Sequence, residues 1–282
     1  MQQKKSSLWP WLLGVVVVAG AGGWMFRSQL QNALAPAASA PQAAAIEPAS
    51  APAPVALAEP EPAAEPASAR ESADNPQHPL EAAADPALPS LAESDEPAWT
   101  ALNTLVSDPA GLGLLLRDHL LQRVVSLVDL MTEHSVTGAA LPYQPLSSTP
   151  VLREEGAGLL PEPANAQRYA LYVGAFTAAN PQAVAAAYRQ FYPLLQQAYV
   201  DLGYPKGYFN DRLVEVIDHL LKTPEPQQPA LWEPNGSGRV RVVDPALESL
   251  TLGQKAMLRL DAQQRSAVKA QLRAVRSALA GG

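Results

Sequence analysis

Tyr188–Leu221 reads YRQFYPLLQQAYVDLGYPKGYFNDRLVEVIDHLL, the densest run of large side chains in the sequence. Val184, Ala187, Tyr188, Phe191, Leu195, Ala198, Tyr199 and Leu202 recur at helical spacing, so the first half is expected to be an amphipathic helix. Asn180-Pro181 starts it, Pro193 should kink it near Tyr192, and Gly203 ends it. Tyr204-Pro205-Lys206-Gly207 turns the chain, and Asn210 is expected to cap a second helix. Leu213, Val214, Val216, Ile217, Leu220 and Leu221 fill one arc of that helix, while Asp211, Glu215, Asp218 and His219 share the other. Two antiparallel helices joined by an aromatic turn imply a helical domain.

The flanking sequence extends this pattern. Ser94 or Asp95 should cap a helix through about Val106, and Leu112 to about Met131 is expected to be one long helix despite Gly113. Residues 137–163 carry five prolines and no period, which predicts a long loop, and helix resumes near Asn165. Leu231-Trp232, a Pro-Asn-Gly-Ser-Gly run and Arg239–Val243 suggest a small hairpin. Thr251 caps a short helix to Leu260, and Asp261 with Gln264 predicts a capping box on the last one. The fold class is therefore all-α with one minor β-hairpin. Arg123–Asp129 and Arg212–Asp218 both follow R-φ-V-x-φ-φ-D, with φ aliphatic, as a duplicated helix pair would. The same echo makes Arg123, Asp129, Arg212 and Asp218 candidates for structural ion pairs between helices.

The N-terminal third is different. Leu8–Phe26 is an uncharged run of 19 residues with Trp9, Trp11 and Trp24 near its ends, long enough to cross a bilayer as a helix. Lys4 and Lys5 before it outweigh Arg27 after it, which predicts a cytoplasmic segment 1–7, a transmembrane helix 8–26 and everything later outside the cytoplasm. A cleaved signal peptide is the alternative, but its small-residue sites at 33–35 and 38–40 are each followed by proline. Segment 27–94 is an Ala/Pro/Glu spacer too poor in apolar side chains to fold, and is expected to be a disordered tether. Twelve prolines from Pro36 to Pro89 favour extended conformations in it. The domain itself is then 95–282. Its 16 basic and 18 acidic residues nearly balance, which argues against a nucleic-acid partner. With no cysteine, disulfides and thiolate metal sites are excluded. The expected setting is a membrane, with the domain outside the cytoplasm.

The run YPLLQQAYVDLGYPKGYFNDRLVEVIDHLLKTP, with Asn165–Tyr169 upstream, VVDPALESLTLGQKAMLRL downstream and LPSLAESDEP at Leu88–Pro97, resembles the proteobacterial family called domain of unknown function 3014. That resemblance implies an N-terminally anchored protein of the bacterial inner membrane with its domain in the periplasm, and brings no activity, cofactor or catalytic residue with it.

No phosphate loop, H-E-x-x-H or G-x-S-x-G occurs, and Ser266–Lys269 matches S-x-x-K without the partner motifs of penicillin-recognising enzymes. No cofactor or metal is expected. Asp211, Glu215, Asp218 and His219 have the chemistry of an acid/base group, which keeps a cell-wall hydrolase in view, but their placement fits a solvated helix face. Seven of the eight tyrosines fall between Tyr169 and Tyr208, and aromatic side chains can bind glycan or peptide. Tyr204, Tyr208 and Phe209 in the turn, with Arg168 and Tyr169, are the candidate binding residues. Arg265, Lys269, Arg273 and Arg276 form a basic stripe on the last helix. The expected role is an interaction or scaffolding module with an envelope protein or cell-wall partner.

Overall fold

The structure is a computed structural model that describes residues 75–80, 88–113, 115–134, 150–156, 158–234 and 240–280. The expected membrane anchor and most of the spacer lie outside these residues. Among the described residues no helix is long and apolar enough to cross a membrane. The domain is helix-rich, with eight α-helices and one four-stranded antiparallel sheet among the described residues.

A 3-10 turn at Leu91–Glu93 leads into α1 (Asp95–Asn103). The expected helix from Leu112 is interrupted: Pro109–Leu112 is a 3-10 turn, and α2 (Leu120–Leu130) begins only after His119, which sits in left-handed backbone at φ 54°. The reason is a cap from another element. Asp95 accepts the backbone N–H groups of His119 and Leu120, each at 2.8 Å, so the α2 N-terminus is fixed by α1. After α2 the strands β1 (Leu152–Glu155) and β2 (Gly158–Pro161) form a hairpin inside the segment expected to be a loop. The charges of Arg153, Glu154 and Glu155 hide the alternation that usually marks a strand.

Next come α3 (Asn165–Thr177), α4 (Pro181–Asp201) and α5 (Phe209–Leu221), then β3 (Trp232–Pro234) and β4 (Val240–Val242). Strand order is β1-β2-β3-β4, so the expected hairpin is half of a larger sheet, joined through Leu159 opposite Trp232. The short α6 (Pro245–Glu248), α7 (Leu252–Leu258) and the long α8 (Ala262–Ala280) complete the chain.

The core lies where α4 meets α2 and α5, with α8 packed across α3, α4 and α5. Phe176, Phe209, Leu120, Leu121, Leu127, Leu213 and Met257 are among its fully buried side chains. Truncating either phenylalanine to alanine should cost about 3–5 kcal/mol. Asn180 caps α4 as expected, accepting from Gln182 and Ala183, and α4 runs through Pro193 to Asp201. Gly203, at φ 119°, closes it in backbone that suits glycine alone.

Asn210 does not cap α5. It is buried, and its Nδ2 donates 2.8 Å to the His78 carbonyl. The capping work passes to Gln196 of α4, whose Oε1 accepts from Phe209 N at 2.8 Å and whose Nε2 donates to Gly207 O at 2.7 Å. The packed chain also begins before Asp95. Gln77 N and His78 N both donate to the Asp211 carboxylate, while Leu80, Leu88 and Leu91 join the core.

Candidate functional site

The polar arc of α5 proves to be a set of structural contacts. Arg212, a candidate for a structural ion pair, is buried at 2 % side-chain exposure. Its Nε meets Asp129 Oδ1 at 2.8 Å, its Nη2 donates to Asp129 O at 2.7 Å and to Thr132, and its Nη1 reaches Glu215 at 2.9 Å. Asp218 pairs with Arg276 of α8 through two hydrogen bonds of 2.6 and 2.8 Å. Arg123 Nε instead donates to the Asp118 carbonyl. Of the four residues of the sequence echo, Arg212 and Asp129 pair with each other and bridge α5 to α2, while Asp218 joins α5 to α8 through Arg276. His219 Nε2 lies 2.8 Å from Thr251 Oγ1, the cap of α7. Desolvation, then Lys222 and Arg212, pull its pKa below the ordinary histidine value. Asp211 clamps the segment around His78. No three His, Asp or Glu side chains among the described residues are grouped to hold a metal.

The aromatic turn is equally committed. Phe209 is 1 % exposed and belongs to the core, so it is unavailable as a surface binding residue. Tyr204 stacks on Tyr199 with ring centroids 4.6 Å apart, and its hydroxyl donates 2.9 Å to Asp129 Oδ2. Tyr208 stands at the N-cap of α5, half-buried. Burial pushes the Tyr188 phenol well above its ordinary pKa, with Tyr192 and Asp211 adding to the shift, which keeps it neutral. The basic stripe of α8 is used in the same way. Lys269 Nζ is buried against Thr223 O at 2.7 Å and Glu225 at 2.6 Å, and Arg265 Nη1 donates to Leu260 O.

Arg168 and Tyr169 are different. They belong to the wall of a cleft of about 310 Å³ on the side of the domain where the sheet meets the N-termini of α3 and α8. One wall comes from Pro150, Leu152, Pro161 and Pro163, around the first hairpin. A second is the segment 226–230 with Trp232 and Val240, and the third runs from Leu258 to Arg265. Its apolar surface is supplied by prolines, leucines, Tyr169 and Trp232.

Local hydrogen bonds set this geometry. Asn165, 7 % exposed, exchanges bonds with Val151 like an extra strand residue, donating at 2.7 Å and accepting at 3.0 Å. This fixes the hairpin to the first turn of α3. Gln264 Nε2 donates to Ala166 O at 2.8 Å, tying α8 to α3. That use of Gln264 is also why the expected capping box is only half formed: Asp261 accepts from Gln264 N at 2.7 Å, and the glutamine side chain goes elsewhere.

Three guanidinium groups line the cleft. Arg168 lies over the Tyr169 ring at 5.5 Å, and its Nη1 is 3.3 Å from the Tyr169 hydroxyl. Arg259 lies over the Trp232 ring at 5.2 Å. Arg265 is the third, at the first turn of α8. Two carboxylates share the wall, but Glu162 faces Arg153 at 3.4 Å and Asp261 serves as the α8 cap. Flat aromatic and proline surfaces beside planar donors suit an extended peptide with acceptors and negative charge. Sequence pattern pointed to Arg168 and Tyr169 but not to Trp232, Arg259 or the prolines. The available signal was the TPEPQQPALW run, where prolines flank a tryptophan.

No curated protein matches the chain, and neither does any solved structure. A model of the family described as "Protein of unknown function (DUF3014)" matches residues 120–276, a span that includes α2, the sheet, the central helices and the cleft. The chain belongs to that family.

Proposed function

We propose that this protein is a membrane-tethered interaction module whose domain stands outside the cytoplasm, in the periplasm, and binds an acidic, extended peptide segment of an envelope protein in the cleft. The observation that carries the binding role is the cleft itself, with Trp232, Tyr169 and prolines forming its surface and Arg168, Arg259 and Arg265 supplying donors. The Leu8–Phe26 run and the lysines before it support the tether and its orientation.

The competing readings lose support. A hydrolase would need a carboxylate able to exchange a proton with substrate, whereas Asp211 holds two backbone amides and Asp218 holds Arg276. Glu215 remains exposed but is hydrogen-bonded to the buried Arg212. A glycan platform built on the tyrosine turn would need Tyr204 and Phe209 at the surface; one is stacked and hydrogen-bonded, the other is core.

The test is titration of the full chain in detergent with an acidic proline-bearing octapeptide, read at the Trp232 indole resonance. Saturable shifts that weaken as salt rises are expected. Absence of any shift at millimolar peptide would remove the reading. Topology is tested separately with a reporter fused after Gly282, which should be active only if it folds outside the cytoplasm.

A further inference from the structure

Lys269 follows the cleft-lining Arg265 by four residues, so it lies one turn further along the same face of α8. Its side chain is only 5 % exposed, and its ammonium group donates to the Thr223 carbonyl at 2.7 Å and to Glu225 at 2.6 Å. What covers it is the run TPEP at residues 223–226, and Pro226 already belongs to the cleft wall. A buried ammonium group without an anion is costly, so this position demands a carboxylate.

Glu225 meets that demand but is loosely held. Its side chain is 61 % exposed, so water can replace what Lys269 gives it, while the buried lysine has no such alternative. Among the described residues no backbone hydrogen bond holds residues 224–230, of which Pro224, Pro226 and Pro229 lack the donor altogether. The hydrogen bond and charge of Lys269 pull the Glu225 carboxyl below the ordinary carboxylate range, and Arg265 and Arg273 add to the pull. A cation of the cleft wall and a cation beside it therefore share one carboxylate. The run that supplies it, a glutamate between two prolines, has the same chemistry as the acidic, extended ligand that the cleft suits.

Granted the peptide site proposed above, we infer that Glu225 is its built-in competitor: a ligand carboxylate takes Lys269 in exchange for Glu225. The ligand class is then a peptide with an acidic residue flanked by prolines, reaching past Arg265 to Lys269. The exchange leaves Lys269 paired and returns Glu225 to water, and it lengthens the groove by one turn of α8, about 5.4 Å. Glu225 also sets selectivity. As part of the chain it faces Lys269 at high effective concentration, so a small free anion does not displace it. A peptide does so only when its other residues also fit the aromatic and proline surfaces of the cleft.

The experiment uses the full chain in detergent and the octapeptide PEPEPEPA, acetylated and amidated. Binding is read at the Trp232 indole resonance, and Glu225 is followed through the pH titration of its side-chain carboxyl carbon. The carboxyl should titrate below the ordinary range in the free chain and return to that range at saturating peptide, a readout that needs no substitution. Glu225→Gln should bind the peptide about fivefold more tightly, because the competitor is gone. That gain should vanish in a Lys269→Met background whose helix signal is retained. A Glu225 carboxyl that titrates identically with and without bound peptide overturns the exchange. So does unchanged or weaker binding in Glu225→Gln, the result expected if Glu225 only anchors the wall. The same gain in Lys269→Met assigns it to long-range charge and overturns the exchange as well. In each of these cases the peptide site itself stands, whereas no Trp232 shift with any of the chains removes both.

Discussion

Replacing Arg212 with alanine should be among the most damaging changes in the domain. The guanidinium is 2 % exposed and joins α5 to α2 through Asp129 Oδ1, Asp129 O and Thr132, with distances to Asp129 of 2.8 and 2.7 Å. Removing it leaves Asp129, whose side chain is 15 % exposed, as a largely desolvated carboxylate that has lost its cation. Breaking one partner of such a buried pair costs about 3–5 kcal/mol. Glu215 contributes little of this, because at 56 % exposure its bond to Arg212 is screened, and Glu215→Ala should cost under about 1 kcal/mol. Asp129→Ala should be costly too, though less than Arg212→Ala, since the arginine loses its buried carboxylate and Tyr204 its acceptor while Asp129 O, Thr132 and Glu215 still hold the guanidinium. The double variant Arg212→Met/Asp129→Leu should cost much less than the two single changes together, because no buried charge remains uncompensated. Urea unfolding of the full chain in detergent, followed by circular dichroism at 222 nm (the helix signal), measures all four. A cost below about 1 kcal/mol for Arg212→Ala would refute the reasoning that this pair joins the two helices.

Three further outcomes follow from the packing and electrostatics. Gly253→Ala should destabilise by about 1–3 kcal/mol in the same unfolding assay, since the added methyl would meet Met131 O at 2.7 Å and Leu220 Cδ2 at 2.6 Å. Gln196→Leu should cost about 1–3 kcal/mol and raise amide exchange at Phe209, because that N–H and the Gly207 carbonyl both lose their partner. His219 has a folded pKa below its ordinary value of 6.5, so the unfolded chain takes up the proton first. Stability should therefore hold above about pH 6.5, fall as pH drops through the window beneath it, and level off below the folded pKa. His219→Gln should lack that slope, and an identical slope in the variant would assign it to another group.

Legibility in the sequence followed the strength of the apolar period. The stretch 188–221 showed its two helices because Phe191, Leu195, Tyr199, Leu213, Val216, Ile217 and Leu220 are all core residues. The start of α2 was not visible, since the cap that sets it, Asp95, lies 24 residues earlier than His119 and acts through space. Asn210 looked like a cap from its type and position, but a glutamine on the neighbouring helix performs that role. Strands β1 and β2 were hidden because Arg153, Glu154 and Glu155 are all exposed, so pairing rather than burial defines them. The same limit applies to the site. Polar residues on a helical arc announce themselves by spacing, whereas the cleft is assembled from prolines, Trp232 and Arg259 spread over three segments with no shared period. Arg168, Tyr169 and Arg265 lay in patterned helices; the first two were picked out as binding residues and Arg265 only as part of a basic stripe.

The central claim is that ligand binding belongs to the cleft and not to the aromatic turn. Matched variants of the full chain test it directly: Arg259→Gln in the cleft and Tyr208→Ala in the turn, each titrated with the acidic octapeptide after its unfolding midpoint has been checked. The account predicts that Arg259→Gln weakens binding at least tenfold with the midpoint retained, while Tyr208→Ala binds as the parent does. Retained binding in Arg259→Gln together with loss in Tyr208→Ala would contradict it.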